Sequence, residues 1–215
     1  EETWDYNWHW YRWDYGTAES GNNGTHELDI ARWALQVDYP TRVDVLANKR
    51  HFPDDGWEMY DTMDATFRFD YNKIIQWDGK SRNSFETYGS GRGTIIYATE
   101  GSVFVNRGGF RVYDRAGKLI RSSESAANEA GTALGGGGDM STAHMVNFFD
   151  AIRGKTELNS PISDGVISMA MVHYCNMAYR TGKGFDVDHH SGRIYDRDAM
   201  KLWGRLYEPG WEPKV

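Results

Sequence analysis

The run "TMDATFRF", Thr62 to Phe69, constrains the fold most tightly. Met63, Ala65, Phe67 and Phe69 alternate strictly with Thr62, Asp64, Thr66 and Arg68. A period of two sends these sets to opposite faces of a pleated strand, one buried and one wet. Strands of this kind belong to antiparallel sheets covered on one side. Val43, Val45 and Ala47, alternating with Asp44 and Leu46, repeat the pattern. "KIIQW" runs into Asp78-Gly79, a dipeptide that predicts a two-residue hairpin. "GTIIYAT", "SVFVN", "FRVYD" and "KLIR" are further strands, divided by Gly101, Gly108-Gly109 and Gly117.

Helical periodicity lies on either side of this β-rich region. His26 to Val37 carries apolar residues at spacings of three and four, with Asn22, Asn23 and Thr25 as expected capping residues and Tyr39-Pro40 as the stop. Met145, Phe148, Phe149 and Ile152 form an apolar stripe that ends at Gly154. Ser163 and Asp164 open a long helix through "GVISMAMVHYCNMAYR" to Gly182, apolar on two rows and so buried on more than one side. A last helix starts at Asp196, with Ala199, Leu202, Trp203 and Leu206 expected to face inward. Helix, six to eight strands, then three helices, without βαβ alternation, predicts an α+β fold. The expected form is an open-faced, mainly antiparallel β-sheet with helices packed on one face, built as a single domain over residues 1–215. The bare face is expected to be solvated or covered by a partner, and Tyr97, Phe104 and Tyr113 favour a partner. Ser122 to Asp139, ending "GTALGGGGD", is expected to be a flexible loop, because it lacks a preceding strand and phosphate-loop spacing.

The net charge of −7 and the absence of a basic stripe argue against nucleic acid. No apolar run reaches the length of about 20 residues that a membrane-spanning helix needs. "EETWDYNWHW" lacks the layout of a signal peptide and begins without methionine, so a fragment or processed form is expected and the compartment stays unassigned. The single Cys175 reads as a small buried hydrophobe.

Chemistry concentrates between Trp8 and Trp33. "WHWYRW" predicts an aromatic strand with Trp8, Trp10 and Arg12 on one face and His9, Tyr11 and Trp13 on the other. The Gly/Asn loop that follows would deliver His26 to a helix N-terminus, where the dipole favours a neutral imidazole able to take a proton. Glu19 and Asp29 are near enough in sequence to orient it. Asp186 to His190, "DVDHH", has metal-ligand residue types, but adjacent histidines are expected to point apart, so a loop is preferred and no metal is expected. His173 falls mid-helix, as an interior histidine or one lining a pocket.

The stretch "GTAESGNNGTHELDIARWAL" resembles the Gfo/Idh/MocA (glucose-fructose oxidoreductase / inositol dehydrogenase / MocA) family at the segment that opens its second domain. "YPTRV", "GRGTIIYATEGSVFVNRGGFRVYD", "HMVNFFDAIRG", "SPISDG", "HYCNMAYRTGK" and "DRDAMKLWGRLYEPGW" extend the resemblance in family order. It implies the C-terminal substrate-binding and oligomerisation domain of an NAD- or NADP-dependent oxidoreductase acting on a sugar or polyol. The N-terminal Rossmann domain and its catalytic Lys have no counterpart in the chain. His26, matching the family histidine, is expected as the general acid/base. Asn22 stands where the family carries a carboxylate, and an amide cannot stabilise an imidazolium by charge, so Glu19 is a candidate substitute. Asp29, Glu19, Trp10, Arg12, Trp13 and His173 are the expected substrate-binding set. A homodimer or homotetramer through the open sheet face is implied, with no cofactor bound to this chain alone and no catalysis in isolation.

Two other readings follow from the residues: a non-catalytic carbohydrate-binding or assembly module derived from this domain, which Asn22 favours, and a hydrolase using Glu19, Asp29 or Asp14 as paired carboxylates. Upstream sequence opening strand–GxGxxG–helix would favour the enzyme over the module.

Overall fold

The computed structural model describes residues 8–123 and 140–214. It is α+β, and the strands form two open four-stranded sheets, entirely antiparallel, rather than one continuous sheet. The predicted loop from Ser122 to Asp139 lies almost wholly outside the described residues. The chain divides into two compact units, residues 1–28, 35–82 and 167–215 in the first and residues 29–34 and 83–166 in the second.

The first unit is built on β1 (Arg42–Asn48), β2 (Thr62–Arg68), β3 (Ile74–Lys80) and the short β8 (Phe185–Asp186), in the order β3-β2-β1-β8. The alternation in β2 settles which face is covered. Met63, Ala65 and Phe67 are buried, and in register beside them stand Val43, Ile75 and Phe185, buried as well. The other face carries charge: Arg42 bridges Asp44 and Asp186, and Arg68 reaches Asp44. That face is solvated, as predicted for one side of the sheet.

Helix α3 (Ile162–Thr181) covers the apolar side from Ile167 onward. It buries Met171, Val172, Tyr174, Cys175, Asn176, Met177 and Ala178, the two-row burial its sequence predicts. Gly182 closes it at φ 68°, a left-handed conformation that glycine adopts without a Cβ penalty. Full burial pushes the Cys175 thiol well up from its ordinary pKa, so it is an inert packing group.

Two expectations fail here. Asp78-Gly79 does not turn a hairpin; β3 continues through it, with Gly79 opposite Met63. The Trp77 indole occupies the space of a side chain, a Cβ on Gly79 falling 2.6 Å from its Nε1. The glycine therefore serves close approach rather than chain reversal. The last helix is a single turn, α4 (Arg197–Met200), capped as predicted by Asp196, which accepts from the amides of Asp198 and Ala199. Ala199 is buried, but Trp203 and Leu206 are exposed because the helix ends before reaching them.

The second unit is a four-stranded meander of β4 (Thr94–Ala98), β5 (Gly101–Asn106), β6 (Gly109–Asp114) and β7 (Leu119–Ser122). Helix α2 (Met140–Ile152) belongs to this unit and ends at Gly154 as predicted. The side chains of Phe148, Phe149 and Ile152 are exposed in it. Of the aromatic residues expected to favour a partner, Phe104 is already covered by Tyr88 and Arg111, whereas Tyr97 is 71% exposed.

Candidate functional site

The Gly/Asn-rich stretch before His26 is not a loop. Ala18 is left-handed at φ 53°, Glu19 enters helical backbone at φ −64° and ψ −35°, Ser20–Gly24 winds as a π-helical turn, and α1 (Thr25–Leu35) follows without a break, Thr25 itself having helical φ −49° and ψ −46°. His26 therefore sits beyond the first turn rather than at an N-terminus. The dipole effect fades within that turn. Asn22, Asn23 and Thr25 do not cap. Their places are inside a wound segment, and each side chain finds other employment or faces outward.

Ser20 is fully buried and its hydroxyl stands 2.9 Å from Tyr60 Oη, 3.2 Å from Asn176 Oδ1 and 3.0 Å from the Thr17 carbonyl. Tyr60 Oη also lies 2.8 Å from Asn176 Oδ1, while Asn176 Nδ2 donates to Thr17 O at 3.1 Å. Burial drives the Tyr60 pKa far up, so the phenol stays protonated as a donor. Asn23 donates to Glu19 Oε1 at 2.5 Å. Thr25 Oγ1 donates to the Gly21 carbonyl at 2.7 Å and lies 3.7 Å from Met169 Sδ on α3. Beneath the turn, a Cβ on Gly24 would lie 3.4 Å from the Trp77 ring, so glycine lets the two surfaces meet.

What the turn displays is Asn22, half-buried, and His26, exposed, four residues apart and so neighbours along one side of the helix. Among the described residues none hydrogen-bonds the His26 imidazole. Asp29 follows three residues on, half-buried. Glu19 is 9% exposed and its carboxylate is joined to Asn23 rather than to His26. His173 is not interior: it is exposed on α3, one turn past Met169, on the row that borders the His26 turn. Desolvation by the surrounding protein still lowers its pKa, which favours a neutral ring.

The aromatic segment departs from a strand. Trp8–Trp10 is a 3-10 turn continuing into further turns, so strict alternation of faces does not hold. Trp10 is buried against Trp57, ring centroids 5.1 Å apart, which makes it core packing behind the surface. Trp57 in turn carries the Arg82 guanidinium 3.5 Å from its ring centroid. Trp13 is half-buried, stacked near Tyr60 and Tyr179, with Arg180 5.2 Å above its ring. Arg12 is ion-paired at the surface to Asp14 at 3.0 Å. Because Asp14 is held there and Glu19 is turned to Asn23, the two carboxylates are not arranged as an acid/base pair.

"DVDHH" forms a turn in which the His189 and His190 rings lie 3.8 Å apart, not pointing away from each other as expected, because the chain reverses at Gly192. Asp188 accepts from the His190 amide and His189 faces Asp70, which accounts for these polar groups structurally. A cavity of 490 Å³ in the second unit is lined by Phe148, Ala151, Ile152, Leu158 and Pro161, with Glu157 as its one ionisable group, and has no acid/base pair.

Sequence reasoning missed Tyr60, Asn176 and Trp77. Asn176 left a signal, a lone amide inside the most apolar stretch of a buried helix. Tyr60 and Trp77 left none, since an aromatic residue in a strand pattern reads as packing.

A model of the oxidoreductase family's C-terminal alpha/beta domain, from the Gfo/Idh/MocA group, matches residues 2–187. The chain belongs to this family. Solved structures agree on the fold of the Gfo/Idh/MocA C-terminal domain. An oxidoreductase from Agrobacterium radiobacter, in complex with NAD+, L-tartaric acid and magnesium, is 16% identical with a TM-score of 0.53 over 78% of this chain and 48% of its own. The WlbA dehydrogenase from Bordetella pertussis, in complex with NADH and UDP-GlcNAcA, is 14% identical with a TM-score of 0.52 over 83% of this chain and 48% of its own. No curated protein matches. The chain thus spans about half the length of these structures.

The described residues do not fit a nicotinamide dinucleotide. Every strand pair is antiparallel, so the parallel β-α-β crossover that forms a dinucleotide crevice is not built from them. No helix among them is long and apolar enough to cross a membrane.

Proposed function

We propose that this chain is the substrate-facing and oligomerising part of an NAD(P)-dependent oxidoreductase acting on a sugar-like or polyol substrate, with His26 as its general acid/base. The observation that carries the reading is the placement of His26: an exposed imidazole with no hydrogen bond from the other described residues, beside Asn22 on a helical turn where Ser20, Asn23 and Thr25 are engaged within the fold. A nicotinamide nucleotide, held by residues outside this chain, would supply hydride transfer. This chain's own work is to bind the hydroxyl-bearing substrate and move one proton at the His26 ring.

Asn22 is placed to hydrogen-bond a substrate hydroxyl or water beside His26, accepting or donating through its amide. His173 offers a further polar contact, and Trp13 an aromatic surface of the kind sugars stack on. Arg12 and Glu19 are the weaker members of the expected set, because each is already engaged. The molecules bound in the two related structures, L-tartaric acid and UDP-GlcNAcA, both carry hydroxyl and carboxylate groups, which supports a polyol or sugar-acid class. Assembly into a homodimer or homotetramer through the β4–β7 sheet is supported by the exposure of Tyr97.

The decisive experiment is kinetic. The longer enzyme containing this chain, assayed with NAD+ or NADP+ against sugar and polyol substrates, is expected to reduce the nucleotide, and the 215-residue chain alone to give none. Turnover by this chain alone would overturn the division of labour, and no turnover by the longer enzyme on any such substrate would overturn the reading itself.

A further inference from the structure

We propose that the π-helical turn Ser20–Gly24 is a register device, locked from beneath by Tyr60 and Asn176, that fixes the direction in which His26 points. The inference rests on the reading of His26 as the acid/base and deepens it by naming positioning residues for that site.

An α-helix turns by 100° per residue, since 3.6 residues complete a circle. A π-helical turn takes up one extra residue without moving the ends of the helix apart by a full turn, and such bulges occur often at functional sites. Without it, every residue after Gly24 would be rotated by about 100° relative to Glu19 and Ser20. The buried side of the segment is fixed by Ala18 and Ser20, both fully enclosed. Thus the π-turn decides whether His26 emerges beside Asn22 at the surface or swings toward the flank of α1.

A π-turn is the less favourable winding, and something has to hold it. The structure provides three anchors from three parts of the first unit. Tyr60 lies just before β2, Asn176 on α3, and Ser20 within the turn. Tyr60 Oη, Ser20 Oγ and Asn176 Oδ1 stand within 2.8–3.2 Å of one another. The two hydroxyl protons are shared among these contacts and the Thr17 carbonyl, and Asn176 Nδ2 donates to the same carbonyl, so the cluster ties the turn to α3 from beneath. All three residues are buried, so the cluster does not touch substrate. Its work is positional. Thr25, by donating to Gly21 O, ties off the far end of the same turn.

The test uses Tyr60→Phe and Ser20→Ala in this chain, with ring-to-amide NOEs between His26 and Asn22 and amide hydrogen exchange of residues 20–24 as readouts. Tyr60→Phe keeps the ring and removes one hydroxyl, while Ser20→Ala removes the hydroxyl inside the turn and leaves Tyr60 and Asn176 in contact. In whichever variants still melt cooperatively, the expected result is weakened His26–Asn22 NOEs and exchange at residues 20–24 faster by about tenfold, the effect of a lost buried hydrogen bond. Unchanged NOEs and exchange in a folded variant would overturn the register proposal. In the proposed longer enzyme the same variants are expected to lower kcat with KM little changed. A His26 ring that moves without loss of turnover counts against the acid/base reading instead, so the two failures are distinguishable.

Discussion

At the scale of single residues the chain separates groups that hold from groups that act. Asp61 shows the first kind. It is 1% exposed and its carboxylate accepts from the amides of Arg50 and His51 and from the Thr62 hydroxyl. Burial alone would raise its pKa, but these hydrogen bonds outweigh that and hold it below the usual carboxylate value. A depressed folded pKa gives stability that is present above the unfolded value of about 4 and is lost as pH falls through the folded one. Asp61→Asn is therefore expected to cost about 1–3 kcal/mol at neutral pH. The gap from the parent should shrink below pH ~4, checked by urea unfolding across pH. His26 is proposed as the second kind. In the longer enzyme His26→Gln is expected to lower kcat by about 10²–10⁴ while leaving KM within a few-fold, as for removal of a positioned acid/base. Steady-state kinetics check it.

At the scale of elements, alternation was legible in β2 and its neighbours, while it misread the aromatic segment at Trp8–Trp13 and turn geometry was not legible at all. Phe67, Met63 and Ala65 reach the core as the period of two requires, because a strand has only two faces and one of them is charged. Phe67→Ala is expected to cost about 3–5 kcal/mol, while Arg68→Ala on the solvated face should stay within about 0.5 kcal/mol; thermal melts distinguish them. The same alternation could not reveal what Gly79 is for. It admits the Trp77 indole, which leans over it along the same face of β3, and a side chain's lean is not encoded by alternation. Gly79→Ala is expected to cost about 1–3 kcal/mol through overpacking against that ring, again by melting. The site was legible as residue identities and misread as geometry. Asn, Gly and Thr in a row signal a cap when only local propensity is weighed, yet the stretch winds as a helix against buried partners, Tyr60 just before β2 and Asn176 on α3. Trp203 and Leu206 failed for a related reason, since periodicity continued after the chain had stopped being helical.

At the scale of the whole molecule, the two sheets differ in what they can do with their open faces. The first presents Arg42, Asp44, Arg68 and Asp186, charges that pair with one another and stay hydrated. The second presents Tyr97. Self-association is therefore expected to use the second sheet, and Tyr97→Asp to shift the chain toward monomer by at least tenfold in dissociation constant, as a buried aromatic contact of about 1.5–3 kcal/mol would give. Sedimentation equilibrium measures it, and an unshifted constant would remove this sheet from the interface.

The winding between Ser20 and Gly24 also bears on how relatives of this chain are compared. A surface loop absorbs a gained or lost residue with little effect, so an alignment is free to open a gap there. Here a gap of one position would pair His26 with a residue a quarter-turn or more away in space, and Asn22 with a neighbour that does not stand beside it. Whether the family carboxylate has truly been replaced by an amide is thus a question about helical phase as much as about residue identity.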